Sequence, residues 1–256
     1  MKIELFRDPS VFETLQNEWN ALLEKSVSRV PFLRAEYQRA WWAHRGGGEW
    51  PAAELVVVAA RAEGGELAGL APLFFASNRD GRPAVMLVGS VEISDYLDFV
   101  VSRVLAESFC TALLDRLSQP DVPGWEVLDL YNLPASSPTR AALGRAAAAR
   151  GWSASEQELE PVPAIALPGD WETYMATMVE KKERQEIRRK LRRAEGGGDR
   201  VTWHIVGPTH DVAAETQAFL RMMTQNEDKA RFLTPAMRTQ FAETICAAFG
   251  GGWLHL

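Results

Sequence analysis

The sequence predicts a mixed α/β protein, and three features of its pattern lead to that prediction. Short apolar runs rich in Val, Leu and Phe occur between segments whose apolar residues follow a helical period. Two consecutive strand-like runs are joined by Glu63-Gly64-Gly65, which is typical of a β-hairpin. Helical segments precede and follow this region, so we expect a mixed sheet with helices on its faces.

Length and composition limit the class of protein. The chain has 256 residues, of which 46% are hydrophobic, so one large or two modest domains with a sizeable core are expected. No apolar run approaches the roughly 18 residues of a membrane span, and the N-terminus lacks the apolar region of a signal peptide, so we expect a cytoplasmic protein. Cys110 and Cys246 lie in helical patterns as small buried hydrophobes, and the four histidines lack ligand spacing. No disulfide and no metal site is therefore predicted.

The first 167 residues follow the order β-α-α-β-β-β-α-β-α-β. Apolar residues at helical spacing follow Asp8-Pro9 and Pro31, and β-branched or apolar runs mark the strands. Neither a G-x-G-x-x-G motif nor a P-loop motif occurs, so a Rossmann or P-loop nucleotide site is not supported. After the first strand at 2–6 and the two helices, the predicted elements are strands 55–60 and 67–75, a strand pair or one bulged strand over 85–88 and 96–101, helix 105–117, strand 126–130, helix 138–150 and strand 163–167.

The pattern restarts after residue 168. A strand at 201–206, helices at 212–223 and 235–249, and the start of a strand at 253–256 repeat the β-α-α-β order of residues 2–60. A repeat at this scale suggests two copies of one supersecondary plan. Because the sequence stops on an apolar strand-like stretch, we expect the second copy to be truncated. The predicted domains are 1–167 and 168–256, the latter with a basic helical arm.

The basic arm, from Glu180 to Glu195, is the one strongly positive feature. Between Lys181 and Arg193 it carries eight Lys or Arg against two Glu, a local charge of +6 in a chain of net charge −6. Its residues are good helix formers, and the Gly run at 196–198 should end the helix. Two interpretations of this arm stay open, a solvated surface helix and an anion site built from Arg guanidinium groups. A pI near 5.4 argues against a general nucleic-acid footprint.

Several motifs in fixed order resemble one family. Together they are similar to the FemAB-like and CelD-like branch of the GNAT acyltransferases, often described as BioF-associated acetyltransferase domains. The residues that carry the resemblance are Pro31-Phe32-Leu33-x-x-x-Tyr37-x-x-x-Trp41-Trp42, Gly69-Leu70-Ala71-Pro72-Leu73, Gly89 followed by Asp95-Tyr96-Leu97-Asp98-Phe99, and Trp171-x-x-Tyr174 leading to Arg184-x-x-x-Arg188-Arg189-Lys190-x-Arg192-Arg193.

The resemblance implies tandem GNAT-like lobes, with the acyl donor held by the C-terminal lobe and the acceptor in the groove between the lobes. The implied co-substrate is acetyl-CoA or another acyl-CoA, without a metal. In such enzymes the pyrophosphate of coenzyme A meets backbone N–H groups between the fourth strand and the next helix. In the second copy that element would lie beyond Leu256.

Candidate site residues fall into two groups. Asp95 or Asp98 could be the base that takes a proton from the acceptor, with Tyr96 orienting it. The structural alternative for these acids is strand capping and a hydrogen bond to a neighbouring loop. The candidate substrate-binding residues are Arg184, Arg188, Arg189, Arg192 and Trp41, and core packing is the alternative for the tryptophan.

Three functions follow as hypotheses. The first is an acyltransferase that moves an acyl group, acetyl above all, from acyl-CoA to an amine or hydroxyl of a small or saccharide-linked acceptor. The second keeps the fold but uses aminoacyl-tRNA as donor, as in peptidoglycan-bridge transferases, so that the basic helix would touch RNA phosphates. The third is a non-catalytic interaction module whose basic helix docks on an acidic partner.

Overall fold

The computed structural model describes residues 1–196 and 201–256, and it confirms the mixed α/β class. The strands are β1 (Lys2–Phe6), β2 (Glu54–Arg61), β3 (Leu67–Ser77), β4 (Pro83–Leu87), β5 (Val100–Val101) and β6 (Val127–Asp129). The helices are α1 (Val11–Thr14), α2 (Gln16–Leu23), α3 (Ala35–Gly48), α4 (Ala106–Leu117), α5 (Pro138–Ala148), α6 (Trp171–Thr177), α7 (Lys181–Gly196), α8 (Val212–Met223), α9 (Glu227–Phe232) and α10 (Pro235–Gly250), with a 3₁₀ turn at Pro31–Leu33.

One sheet organises the N-terminal part of the chain. Its strand order is β1-β2-β3-β4-β6, with β5 paired to β3. Strands β1 to β4 are antiparallel neighbours, whereas β4 and β6 run parallel. A parallel pair needs a crossover, and α4 lies within the connection that provides it. The expected hairpin around Gly64 and Gly65 is present between β2 and β3.

The central strands β2 and β3 are covered on both faces of the sheet. Side chains alternate between faces along a strand, yet every residue from Leu55 to Ala60 in β2 is buried. The same holds for Leu67 to Phe75 in β3. Such continuous apolar runs are typical of strands that are buried on both sides. The largest fully buried side chains of the protein include Trp19, Trp41, Phe74, Phe99 and Phe109.

Helix α10 packs on α3 through an irregular helix end. The last residues of α3 leave the helical conformation, with φ values of 51° at Arg45, 65° at Gly46 and 71° at Gly47. The Gly47 N–H donates to Oε1 of the buried Gln240 at 2.7 Å. A Cβ at Gly47 would lie 2.3 Å from the Met237 methyl carbon, so glycine permits both the backbone turn and the close approach of α10.

Several strand predictions are wrong. The structure has no strand at 163–167, 201–206 or 253–256 in the ranges that it describes, and the predicted strand 96–101 is reduced to Val100–Val101. These stretches are apolar, but an extended run becomes a strand only when a neighbouring strand pairs with it. The helices of the proposed repeat, α8 and α10, are present without their flanking strands.

The chain divides into two compact units. The first contains residues 1–156 and 210–254, and the second contains residues 157–209 and 255–256. This division does not follow the boundary expected at residue 167, and the tandem-lobe arrangement stays a prediction. No helix within the described ranges combines the length and the apolar character needed to cross a membrane.

Candidate functional site

The predicted catalytic residues lie in the segment 88–99 between β4 and β5, which we call the β4–β5 loop. The loop leaves β4 through Gly89, whose φ of 116° lies in a region that side chains disfavour. A Cβ on Gly89 would lie 2.8 Å from a methyl carbon of Leu97, so the loop also packs closely on itself here. Glycine at this position therefore sets the path that the loop takes out of the sheet.

Side chains from α3 and the residues after it hold the first half of the loop. The Gln38 amide donates to the Val88 carbonyl at 2.9 Å, and the Trp50 indole N–H donates to the Ser90 carbonyl at 2.8 Å. Gln38 is completely buried, so these bonds form away from bulk water. Buried backbone carbonyls that would otherwise lack partners are satisfied in this way.

Tyr37 holds the middle of the loop. Its hydroxyl donates to the Ile93 carbonyl at 3.0 Å and lies 2.8 Å from Oγ of Ser94. Burial raises the pKa of Tyr37 well above its ordinary value, against a smaller lowering by the Ser94 contact. Tyr37 is therefore a neutral hydrogen-bond donor at physiological pH and not a base.

Asn132 closes the loop from the segment after β6. Its side-chain amide donates to the Val91 carbonyl at 3.0 Å and to the Ser94 carbonyl at 2.7 Å. The Asn132 backbone has a φ of 60°, a left-handed conformation that Asn tolerates better than most residues. One residue thus supplies both a turn and two tethers.

Asp98 is fully buried and accepts hydrogen bonds from four donors. Its Oδ2 accepts from Ser28 Oγ at 2.9 Å and Ser137 Oγ at 2.6 Å. Its Oδ1 accepts from Thr139 Oγ1 at 2.6 Å and from the Phe99 N–H at 2.8 Å. A carboxylate occupied in this way has no open approach for an acceptor proton, so the prediction of Asp98 as a base is corrected. Asp98 joins the loop to the N-terminus of α5, which corresponds to the structural alternative.

Asp95 and Tyr96 lie on the exposed side of the same loop. Asp95 is exposed and Tyr96 is 40% exposed. Tyr96 has a φ of 55°, and a non-glycine residue in this region stores about 1–3 kcal/mol of strain, a feature that clusters at functional sites. The tethers on either side hold the backbone of this stretch, and the two side chains lie at the surface. Both residues therefore remain candidates for handling an acceptor.

Comparisons with known proteins give no assignment. No family model, no curated protein and no solved structure matches the chain.

Trp41 does not lie in a binding surface. Its side chain is completely buried, and its ring centroid lies 5.4 Å from that of Phe74 in β3. A ligand could reach this ring only by displacing the core. The predicted role of Trp41 in stacking on a substrate is therefore corrected to core packing, the alternative that the sequence left open.

The predicted arginines of the basic helix belong to the second unit. Helix α7 has the predicted position and no buried residue. Arg184 donates to the Ala176 and Val179 carbonyls at 3.0 Å each and so caps the end of α6. The others are exposed: Arg188 pairs with Glu172 at 3.2 Å, Arg189 pairs with Glu186 at 2.7 Å, and Arg192 lies on the surface. Arg184 has a structural role, whereas the other three are accessible to a ligand.

The two cysteines differ in environment. Cys110 is buried in α4, and burial raises the pKa of its thiol to about 12, so it is not a thiolate nucleophile near neutral pH. Cys246 is exposed on α10, which corrects the expectation that both cysteines are buried.

Sequence reasoning missed the residues that hold the loop. Tyr37 was part of the resemblance, but its hydroxyl meets Ser94, which lies 57 residues away. Asn132 had no motif around it. The only local signal was that Asn follows strand β6 directly after Tyr131, at a position where a left-handed turn is common.

Asn132 offers a test of the loop tethers. We expect Asn132→Ala to lower the free energy of unfolding by about 2 kcal/mol, because two part-buried carbonyls lose their donor and the left-handed backbone becomes strained. Asn132→Gly removes the same amide but keeps the backbone, so its loss should be about 1 kcal/mol smaller. Urea unfolding of both variants measures the difference. Equal stability of the unmodified protein and both variants would contradict the role of Asn132 in holding the loop.

Proposed function

We propose that this chain is an acyltransferase that moves an acyl group, acetyl above all, from an acyl-CoA thioester to an amine or hydroxyl of an acceptor. The observation that carries the proposal is the exposed Asp95 and the strained Tyr96, both presented by a loop that buried side chains hold in place. The elements from β1 to α5 follow the order strand, helices, strands, helix, strand and helix. This order supports the proposal because it is the order that the resemblance implies.

The proposed chemistry needs no covalent enzyme intermediate. The acceptor nitrogen or oxygen attacks the thioester carbonyl carbon, the C–S bond breaks, and coenzyme A leaves as thiolate. Asp95 accepts the proton that the acceptor loses, and a proton from the medium or from Asp95 restores the thiol. The Tyr96 hydroxyl orients the acceptor by a hydrogen bond. Most of the acceleration would come from holding both substrates in reacting geometry.

A fixed loop suits this role for a physical reason. General acid–base groups act at hydrogen-bond distance from the moving proton, so a loop that shifts by an ångström loses rate. The donors on Asp98, together with Tyr37 and Asn132, restrict that movement from both sides of Asp95. The strain at Tyr96 is maintained by the same contacts.

Binding of the donor provides the first test. We expect acetyl-CoA at 100 times its Kd to raise the free energy of unfolding by about 2.7 kcal/mol, because a ligand of the folded state shifts the equilibrium by mass action. Thermal unfolding should be compared with acetyl-CoA, with a long-chain acyl-CoA and with ATP as a phosphate-bearing control. Protection by an acyl-CoA but not by ATP is expected. If neither thioester protects the chain, the acyl-CoA proposal fails.

A further inference from the structure

Helix α7 concentrates its positive charge on one side. At about 100° per residue, six of its cations fall within an arc of about 140° that contains no acidic residue. All six side chains are exposed. We call this surface the cationic face; it consists of Lys181, Lys182, Arg188, Arg189, Arg192 and Arg193.

The cationic face forms two parallel rows. Residues 181, 188 and 192 form one row and residues 182, 189 and 193 the other. At a rise of about 1.5 Å per residue, each row places its three charges over roughly 16 Å of helix axis. Four of the six residues are arginines, whose planar forks match phosphate oxygens two at a time. The spacing suits a chain of phosphates better than a single anion.

The few apolar residues of α7 lie opposite the cationic face. Arg184 donates to the Ala176 carbonyl in α6 and to the Val179 carbonyl beyond it, and Ile187 is half-buried. A helix that lies on a membrane buries its apolar side in the lipid and keeps its cations at the interface. On α7, Ile187 is half-buried and Leu191 is 44% exposed, so the helix offers little apolar surface to a bilayer, whereas all six side chains of the cationic face are exposed. This arrangement favours a partner that is recognised by its charges and disfavours a lipid bilayer.

Exposed tryptophans lie in the segments that contact α7. The 3.2 Å contact between Arg188 and Glu172 brings the first turn of α6, with Trp171, beside it. Trp171 is 52% exposed and stacks on Tyr174 with a centroid distance of 5.6 Å. The Val201 N–H donates to the Ala194 carbonyl at 3.1 Å, which brings the segment that carries Trp203 to the last turns of α7. Trp203 is 82% exposed.

We propose that the cationic face, with Trp171 and Trp203, binds a single-stranded nucleic acid. The rows would follow the phosphates, and the indole rings would stack on unpaired bases, the two elements by which single strands are bound without sequence preference. An acidic protein would engage the charges but would leave the indole rings without a role. The proposal is independent of acyl transfer, because all of its residues lie in the second unit.

The low pI of the whole chain does not oppose local binding. Charges in solution are screened beyond about 8–10 Å at physiological ionic strength, so distant acids have little effect on a phosphate that touches α7. The prediction that nucleic-acid binding is disfavoured averaged the charge over 256 residues. The folded helix gathers six cations within an arc that contains no acidic residue, which the average conceals.

The test uses the full chain and labelled oligo(U) and oligo(dT) of about 12 nucleotides, a length within the range that single-strand sites cover. Fluorescence anisotropy at several salt concentrations gives the affinity and its salt dependence. Six phosphate contacts predict a slope of log K against log salt of about −4. Arg188→Gln/Arg192→Gln should reduce that slope by about 1.4, since each lost contact removes about 0.7. Glutamine preserves the helix.

Two further variants separate charge from stacking. Trp203→Ala should weaken binding about tenfold without changing the slope, because stacking releases no counterions. Arg29→Gln/Arg103→Gln removes the same charge from exposed sites in the first unit and should leave binding unchanged. Far-ultraviolet circular dichroism checks that α7 is retained. If the double variant loses helix, Arg192→Gln alone should lower the slope by about 0.7.

Four results would overturn the proposal. The first two are that neither oligonucleotide binds at low salt, or that the α7 variants and the control variant weaken binding equally. The third is that a duplex binds as tightly as a single strand and Trp203→Ala has no effect. The fourth is that the chain binds phosphatidylserine vesicles but not oligonucleotides. Tight binding of oligo(U) and oligo(dT) with the two distinct variant effects would establish it.

Discussion

Asp98→Ala is expected to lower the free energy of unfolding by about 3–5 kcal/mol. The substitution removes the one acceptor of four buried donors, which come from Ser28, Phe99, Ser137 and Thr139. Each unsatisfied buried donor costs about 1–3 kcal/mol, and the hydroxyls recover part of this by turning to other acceptors. The expected loss is therefore large but smaller than the sum of four. Equilibrium unfolding in urea measures it.

A neighbouring carboxylate supplies the control. Asp95 is exposed three residues earlier in the same loop, so Asp95→Ala should change stability by no more than about 0.5 kcal/mol. Asp98→Asn keeps one acceptor oxygen and should fall between the two. If Asp98→Ala is as stable as Asp95→Ala, the buried network does not hold the loop.

Trp41→Ala is expected to destabilise the protein by about 3–5 kcal/mol, because it leaves a large cavity in the main core. The ring is fully buried and lies against Phe74. Trp41→Phe should retain much of this stability, since its indole N–H has no partner among the described residues and no hydrogen bond is lost. Thermal unfolding of both variants provides the measurement.

Trp41→Ala and Trp41→Phe, with one control variant, also separate a core role of Trp41 from a ligand-binding role. Trp203→Ala, at an exposed tryptophan, should leave stability within about 0.5 kcal/mol of the unmodified chain and so controls for loss of an indole. A stacking residue would instead show near-normal stability in Trp41→Ala with weakened acyl-CoA protection. That outcome would reverse the assignment of Trp41 to the core.

The elements that could be predicted have strong periodic signals. The predicted strands 55–60 and 67–75 correspond to Glu54–Arg61 and Leu67–Ser77, and the predicted helix 212–223 has the same bounds in the structure. Helices are local, because their hydrogen bonds join residues four apart. Strands depend on partners elsewhere in the chain, which explains why 163–167 and 201–206 have apolar strand patterns but no strand.

The segment of the candidate residues could be predicted from the sequence, but their separate roles could not. Asp95, Tyr96 and Asp98 lie within four residues of one another, and their neighbours in the sequence do not distinguish them. The donors that bury Asp98 come from Ser28, Ser137 and Thr139, which lie 70, 39 and 41 residues away. Which carboxylate is buried thus depends on long-range packing, which a single sequence does not display.

Transfer of an acyl group tests the central proposal most directly. The chain is incubated with acetyl-CoA and a mixture of amines and sugars, and both thiol release and the mass of the acceptors are followed. We expect an acylated acceptor, with a rate that Asp95→Asn lowers by about 100-fold or more while the free energy of unfolding is unchanged. An Asp95→Asn protein that transfers at the unmodified rate, or a chain that acylates no acceptor in the mixture, would contradict it.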